Sequence, residues 1–61
     1  MTKLQIAKIL KESRGKAGLT QQQAADAIKR KRQTLASWET GKSQPDANTL
    51  FELFDVYGLS V

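Results

Sequence analysis

The sequence predicts an all-α domain, a compact bundle of four or five short helices, and three observations carry that reading. Apolar residues recur at helical spacing in four separate stretches. Those stretches open on capping residues or close on glycine. No stretch alternates apolar and polar residues as a half-buried strand would. At 61 residues the chain, 1–61, holds a single domain with a modest core.

The first helix is predicted over roughly 2–16. Thr2 and Gln5 stand three apart as a capping box. Ile6, Ile9, Leu10, Ser13 and Ala17 follow on one face, with Lys8, Lys11 and Glu12 outside. Gly15 and Gly18 mark the stop. Thr20 and Gln23 form a second capping box, opening a helix over 20–28 with Ala24, Ala25 and Ile28 inward. Lys29-Arg30-Lys31 then breaks the apolar pattern. Periodicity resumes at Leu35 and Trp38 in a helix over 31–40, closed by Gly41. Pro45 disfavours helix just before it, and Asp46 is a good N-cap for a helix over 46–57. There Leu50, Leu53, Phe54 and Tyr57 fall at i, i+3, i+4 and i+7. The expected core is Ile6, Leu10, Leu19, Ala25, Ile28, Leu35, Trp38, Leu50, Leu53 and Phe54.

Charge is distributed unevenly. All ten basic residues lie at or before Lys42, where Glu12, Asp26 and Glu39 oppose them, so residues 1–42 carry +7. Residues 43–61 hold Asp46, Glu52 and Asp55 without a base, for −3. Such an electropositive part is what a nucleic-acid face requires. The chain lacks cysteine and histidine. Disulfides are excluded, a metal site would have to rely on scattered carboxylates, and no cofactor is expected. A reducing cytoplasm suits this composition. No apolar run approaches the ~20 residues that cross a bilayer, and Lys8 and Lys11 interrupt any signal-like stretch. No nucleophile is paired with a base and no glycine-rich phosphate loop occurs, so the sequence does not read as an enzyme.

The second and third helices stand about four residues apart, with a basic cluster where the later one begins. That is the helix-turn-helix arrangement, spanning about 20–40, whose second helix enters a DNA major groove. Lys31, Arg32 and Gln33 project from its reading end, while Leu35 and Trp38 anchor the opposite face. Arginine can bond guanine at two points, and glutamine can pair with adenine. Alone, Lys29 to Arg32 would read as a solvated turn. Trp38 lies on the Leu35 face and reads as core, not as a stacking platform.

The string LTQQQAADAIKRKRQTLASWETGKSQP, Leu19 to Pro45, resembles the Cro and lambda-repressor type of helix-turn-helix, the XRE family. The elements that carry the likeness are Leu19-Thr20-Gln21, Ala25, Ile28, Leu35, Trp38-Glu39, Gly41 and Pro45, without a gap. The resemblance implies a lambda repressor-like fold and a transcriptional regulator, commonly a repressor, that binds a palindromic double-stranded operator as a homodimer. It implies a bacterial or phage-encoded protein bound to DNA in the cytoplasm. Arg32 and Gln33 match its base readers, and Lys31 and Ser37 its further contact positions. Gln21 matches its phosphate-contacting glutamine, and Lys29 and Lys42 join it as phosphate candidates. Arg14 and Glu39 match an ion pair between the first helix and the recognition helix. The alternative reading of Arg14 and Glu39 is an exposed pair only, which would be worth little.

Five residues depart from the family pattern: Ala24 stands for a customary large apolar residue, Phe54 for a customarily smaller one, and three lie in the turn. Lys29 replaces the turn glycine, Arg30 an apolar residue, and Lys31 a side chain that could cap. Phe51 and Val56 lie off the inward stripe. They read either as partly covered core or, with the tail after Gly58, as a dimer contact. The alternative function is an antitoxin or other interaction module that holds a toxin or co-regulator, with DNA binding secondary.

Overall fold

The computed structural model describes residues 2–59. It contains four helices, α1 (Lys3–Lys16), α2 (Gln21–Ala27), α3 (Arg32–Glu39) and α4 (Ala47–Val56), with no strand among the described residues. The bundle is all-α, as expected. Most helix ends fall one residue inside the predicted bounds, because the residue at each boundary serves as a cap.

Those caps explain where the helices start. The Thr2 hydroxyl accepts the Gln5 N–H, and the Thr2 N–H donates to Gln5 Oε1 at 2.7 Å. Thr20 and Gln23 repeat this reciprocal pair. Asp46 accepts the Thr49 N–H at 2.9 Å. Hydrogen bonding by Thr49, side chain first and then backbone, holds the Asp46 carboxyl below the usual range. Each such cap contributes about 0.5–2 kcal/mol. Lys31 caps α3 by position only, with no side-chain hydrogen bond.

All four helices stop in the same way. The residue two past the cap returns its N–H to a carbonyl five positions back: Leu19 to Arg14, Arg30 to Ala25, Lys42 to Ser37 and Leu59 to Phe54. Closing that loop requires a left-handed residue in between. Gly18, Gly41 and Gly58 supply it at three ends. At the α2–α3 turn it is Lys29, at φ 59°. A residue with a Cβ pays about 1–2 kcal/mol for that conformation.

α3 packs against both α1 and α2, and α4 packs against α2. Leu10, Leu35 and Leu53 are fully buried, one from each of α1, α3 and α4. Covering each is worth roughly 1.5–3 kcal/mol. Ala24 and Ala25 are completely buried and small enough to let α3 approach α2 closely. Ile28, Trp38 and Tyr57 complete the cluster.

The core differs from expectation at its margin. Ile6, Leu19, Leu50 and Phe54 are half-buried and pack on the cluster from outside. Ile6, Leu50 and Phe54, with Ile9, line an apolar groove of about 120 Å³ between α1 and α4, which leaves these side chains partly in solvent. Ala17 is exposed beyond the end of α1, and Ala7 is buried instead. Phe51 is exposed, with its ring edge-on to Phe54 at 6.5 Å, and Val56 is half-buried. Of the tail after Gly58, Ser60 and Val61 lie outside the described residues.

Candidate nucleic-acid interface

The site is assembled on the outer face of α3. That helix is short, so its orientation depends on what holds its two ends.

The C-terminal end is held by Glu39. The Arg14 guanidinium donates from Nε to Glu39 Oε2 at 2.7 Å and from Nη2 to Oε1 at 3.0 Å. Its Nη1 donates to the Leu19 carbonyl at 2.9 Å. Gln21 Nε2 also donates to Glu39 Oε1, at 3.1 Å. The Glu39 carboxylate therefore ties α1 and α2 to α3, and Arg14 adds the α1–α2 loop. The Glu39 side chain is only 2% exposed and that of Arg14 17%. The pair is present and the exposed alternative does not hold: the fork is two-pronged and largely desolvated, where such bonds are strong and breaking them is costly. The hydrogen bond to Glu39 raises the Arg14 pKa above its usual value, against the effect of burial.

The N-terminal end is held by the turn. Lys31 stands exposed at the cap and Arg32 at the first helical position. Arg32 Nη1 reaches Gln21 Oε1 at 3.5 Å, so Gln21 lies between the buried ion pair and the first arginine of α3. Arg30 is exposed, and its Nη2 donates to the Thr49 hydroxyl at 3.4 Å, bracing the turn against α4.

Between these ends, Arg32, Gln33, Ala36, Ser37, Thr40 and Lys42 enclose an open concavity of about 340 Å³. They lie at i, i+1, i+4, i+5 and i+8 of one helix face, plus a lysine from the loop behind it. The concavity gathers four of the residues expected from sequence, namely Arg32, Gln33, Ser37 and Lys42. Gln21, Lys29 and Lys31 lie outside its lining. Gln21 is half-buried beside Glu39, and Lys29 is exposed in the strained turn. The Ser37 hydroxyl shares a 2.8 Å hydrogen bond with Ser43 Oγ. Ala36 and Thr40 were not anticipated, although their spacing from Arg32 would have placed them on this face.

Exposed cations at Lys29, Arg30, Lys31, Arg32 and Lys42 surround this end of the molecule, while the nearby Glu39 charge is already satisfied by Arg14. The arrangement offers multiple N–H donors and positive charge and no paired nucleophile. It suits recognition of a polyanion.

Comparison with known proteins agrees with the geometry. The chain matches the helix-turn-helix family over residues 10–61. It is 37% identical over 57 residues to the HTH-type transcriptional regulator ImmR of Bacillus subtilis (strain 168), covering 93% of this chain and 45% of that protein. It is 39% identical over 51 residues to the SPbeta prophage-derived uncharacterized HTH-type transcriptional regulator YonR of the same organism, covering 84% of this chain and 47% of that protein. The chain thus spans about half the length of these relatives. With the helix pair, the turn and the family match in agreement, the chain belongs to the XRE-type helix-turn-helix family.

Proposed function

We propose that this domain binds double-stranded DNA sequence-specifically as a transcriptional regulator, a repressor acting as a homodimer on a palindromic operator in the cytoplasm. The observation that carries the reading is the concavity on α3, where Arg32, Gln33, Ser37 and Lys42 converge on the face opposite Leu35 and Trp38. α3 enters the major groove from its Lys31 end. Lys31, Arg32, Gln33 and Ser37 meet base edges, while Gln21, Lys29 and Lys42 meet phosphates. Arg14 and Glu39 hold α3 at the required angle. One helix of eight residues covers little DNA, which favours two copies with their α3 helices about 34 Å apart. Exposed Phe51 and half-buried Val56 are the proposed contact between copies.

Selection of bound sequences from random duplex DNA tests this directly, and a palindromic consensus is the expected result. Fluorescence anisotropy on that consensus and on random duplex, across a salt series, then separates the roles. Arg32→Ala should cost about 1–3 kcal/mol on the consensus and far less on random DNA. Lys42→Ala should weaken both equally and lower the salt slope by about one. Gln21→Ala should weaken both with little change of slope. If Arg32→Ala weakens both DNAs equally, its role as a base reader is wrong. If the wild-type chain binds neither duplex at low salt, the DNA-binding reading fails and an interaction module takes its place.

A further inference from the structure

We infer that Ala36, together with the Thr40 methyl, forms an apolar seat for the C5-methyl group of a thymine. The inference rests on the duplex-binding reading above and adds a specificity determinant to it.

The concavity on α3 has two kinds of wall. Arg32, Gln33 and Lys42 bring charge and amide groups. Ala36 brings only a methyl. Thr40 directs its hydroxyl back at the helix, 3.0 Å from the Ala36 carbonyl and 3.2 Å from that of Ser37, which leaves its methyl as the group it can present. The Ser37 hydroxyl already shares its hydrogen bond with Ser43. The Thr40 hydroxyl is thus tied to the helix, and that of Ser37 keeps for a base only the capacity its bond with Ser43 leaves. A polar base edge pressed against Ala36 would lose its hydrogen bond to water without replacement, whereas a methyl group loses nothing and gains contact.

In the major groove of unmodified DNA the only methyl is that of thymine. Its position relative to the other readers follows from helix geometry. Ala36 lies four residues beyond Arg32, about 6 Å along the axis. Base pairs are stacked 3.4 Å apart. That distance is an upper bound on the displacement along the duplex, so the thymine falls at most two base pairs from the one that meets Arg32.

The test uses a consensus selected from synthetic unmethylated duplex, in which each thymine is replaced in turn by deoxyuracil, removing the methyl alone. In the wild-type chain one position per half-site should lose affinity by roughly four-fold, the effect of uncovering one methyl. In Ala36→Ser the same replacement should cost less than two-fold. Thr40→Ser keeps the hydroxyl, removes the methyl, and should reduce the effect in part, so the test does not depend on one variant folding. A duplex that binds but is indifferent to deoxyuracil at every position overturns the seat alone. So does a loss that is undiminished in both variants, since the methyl would then rest elsewhere. Absence of any duplex binding overturns the underlying reading and the seat with it.

Discussion

Arg14 and Glu39, 25 positions apart in the chain, meet through a two-pronged fork whose shorter arm is 2.7 Å. The carboxylate is buried, so its stability depends on the partner. Arg14→Met should destabilise the domain by about 3–5 kcal/mol in urea denaturation, because it strands a desolvated charge. The double variant Arg14→Met/Glu39→Leu should lose less than Arg14→Met alone, since it removes the stranded charge as well. A double variant as unstable as the single one would show that packing of the arginine stem, not the ion pair, is what matters.

Lys29 occupies a left-handed conformation that glycine holds at the three other helix ends. Lys29→Gly should raise stability by up to ~1 kcal/mol, the relieved strain of about 1–2 kcal/mol less the chain entropy of glycine. The same change should weaken duplex binding equally on all sequences and lower the salt slope by about one, because a cation is lost. Stability and affinity then move in opposite directions. Thermal unfolding and anisotropy on one sample check both.

Gly41 shows the reverse case. It stands at φ 81°, and an added Cβ would come within 2.8 Å of Leu4 Cδ2. Gly41→Ala should cost about 1–2 kcal/mol. Leu4 is 71% exposed and can swing aside, so the cost lies in the backbone. The Leu4→Ala background should leave it unchanged, and a full rescue there would assign the cost to the contact instead.

Tyr57 is 7% exposed, and its hydroxyl has no protein partner among the described residues. Burial, with the nearby Glu39 charge, pushes its pKa up from 10.0 to about 12. The folded pKa lies above the unfolded one. The neutral ring therefore contributes fully below pH 10 and its contribution is lost as pH rises toward 12. Two units correspond to roughly 2–3 kcal/mol. Denaturation profiles should show this alkaline loss in the wild type and a smaller one in Tyr57→Phe. At neutral pH that variant should be at least as stable, having no buried hydroxyl to desolvate.

What was legible in the sequence was whatever local chemistry determines. The capping boxes at Thr2 and Thr20, the Asp46 cap and the glycine stops placed six of the eight helix ends to within about a residue, because those signals act over three or four positions, and the basic break at Lys29 to Lys31 placed the other two. The lining of the concavity on α3 was partly legible, since Arg32, Gln33 and Ser37 share one side of a helix anchored by Leu35 and Trp38. Ala36 and Thr40 went unread because a small side chain carries no chemical signal until its neighbours form a concavity around it. The half-buried state of Ile6, Leu50 and Phe54 was hidden for a related reason. Periodicity shows which side of a helix is apolar, not whether another helix arrives to cover it.

The ion pair between α1 and α3 also determines how the molecule responds to ionic strength. At 1 M salt the Debye length is about 3 Å, and exposed charges stop sensing one another beyond it. Lys29, Lys31, Arg32 and Lys42 are all exposed, so their attraction to a polyanion fades as salt rises. Arg14 and Glu39 touch at 2.7 Å with the carboxylate out of solvent, leaving no room for a counterion between them. Concentrated salt should therefore detach a nucleic acid while the scaffold stays folded, and the domain can be released from its ligand and returned to it without passing through a denatured state.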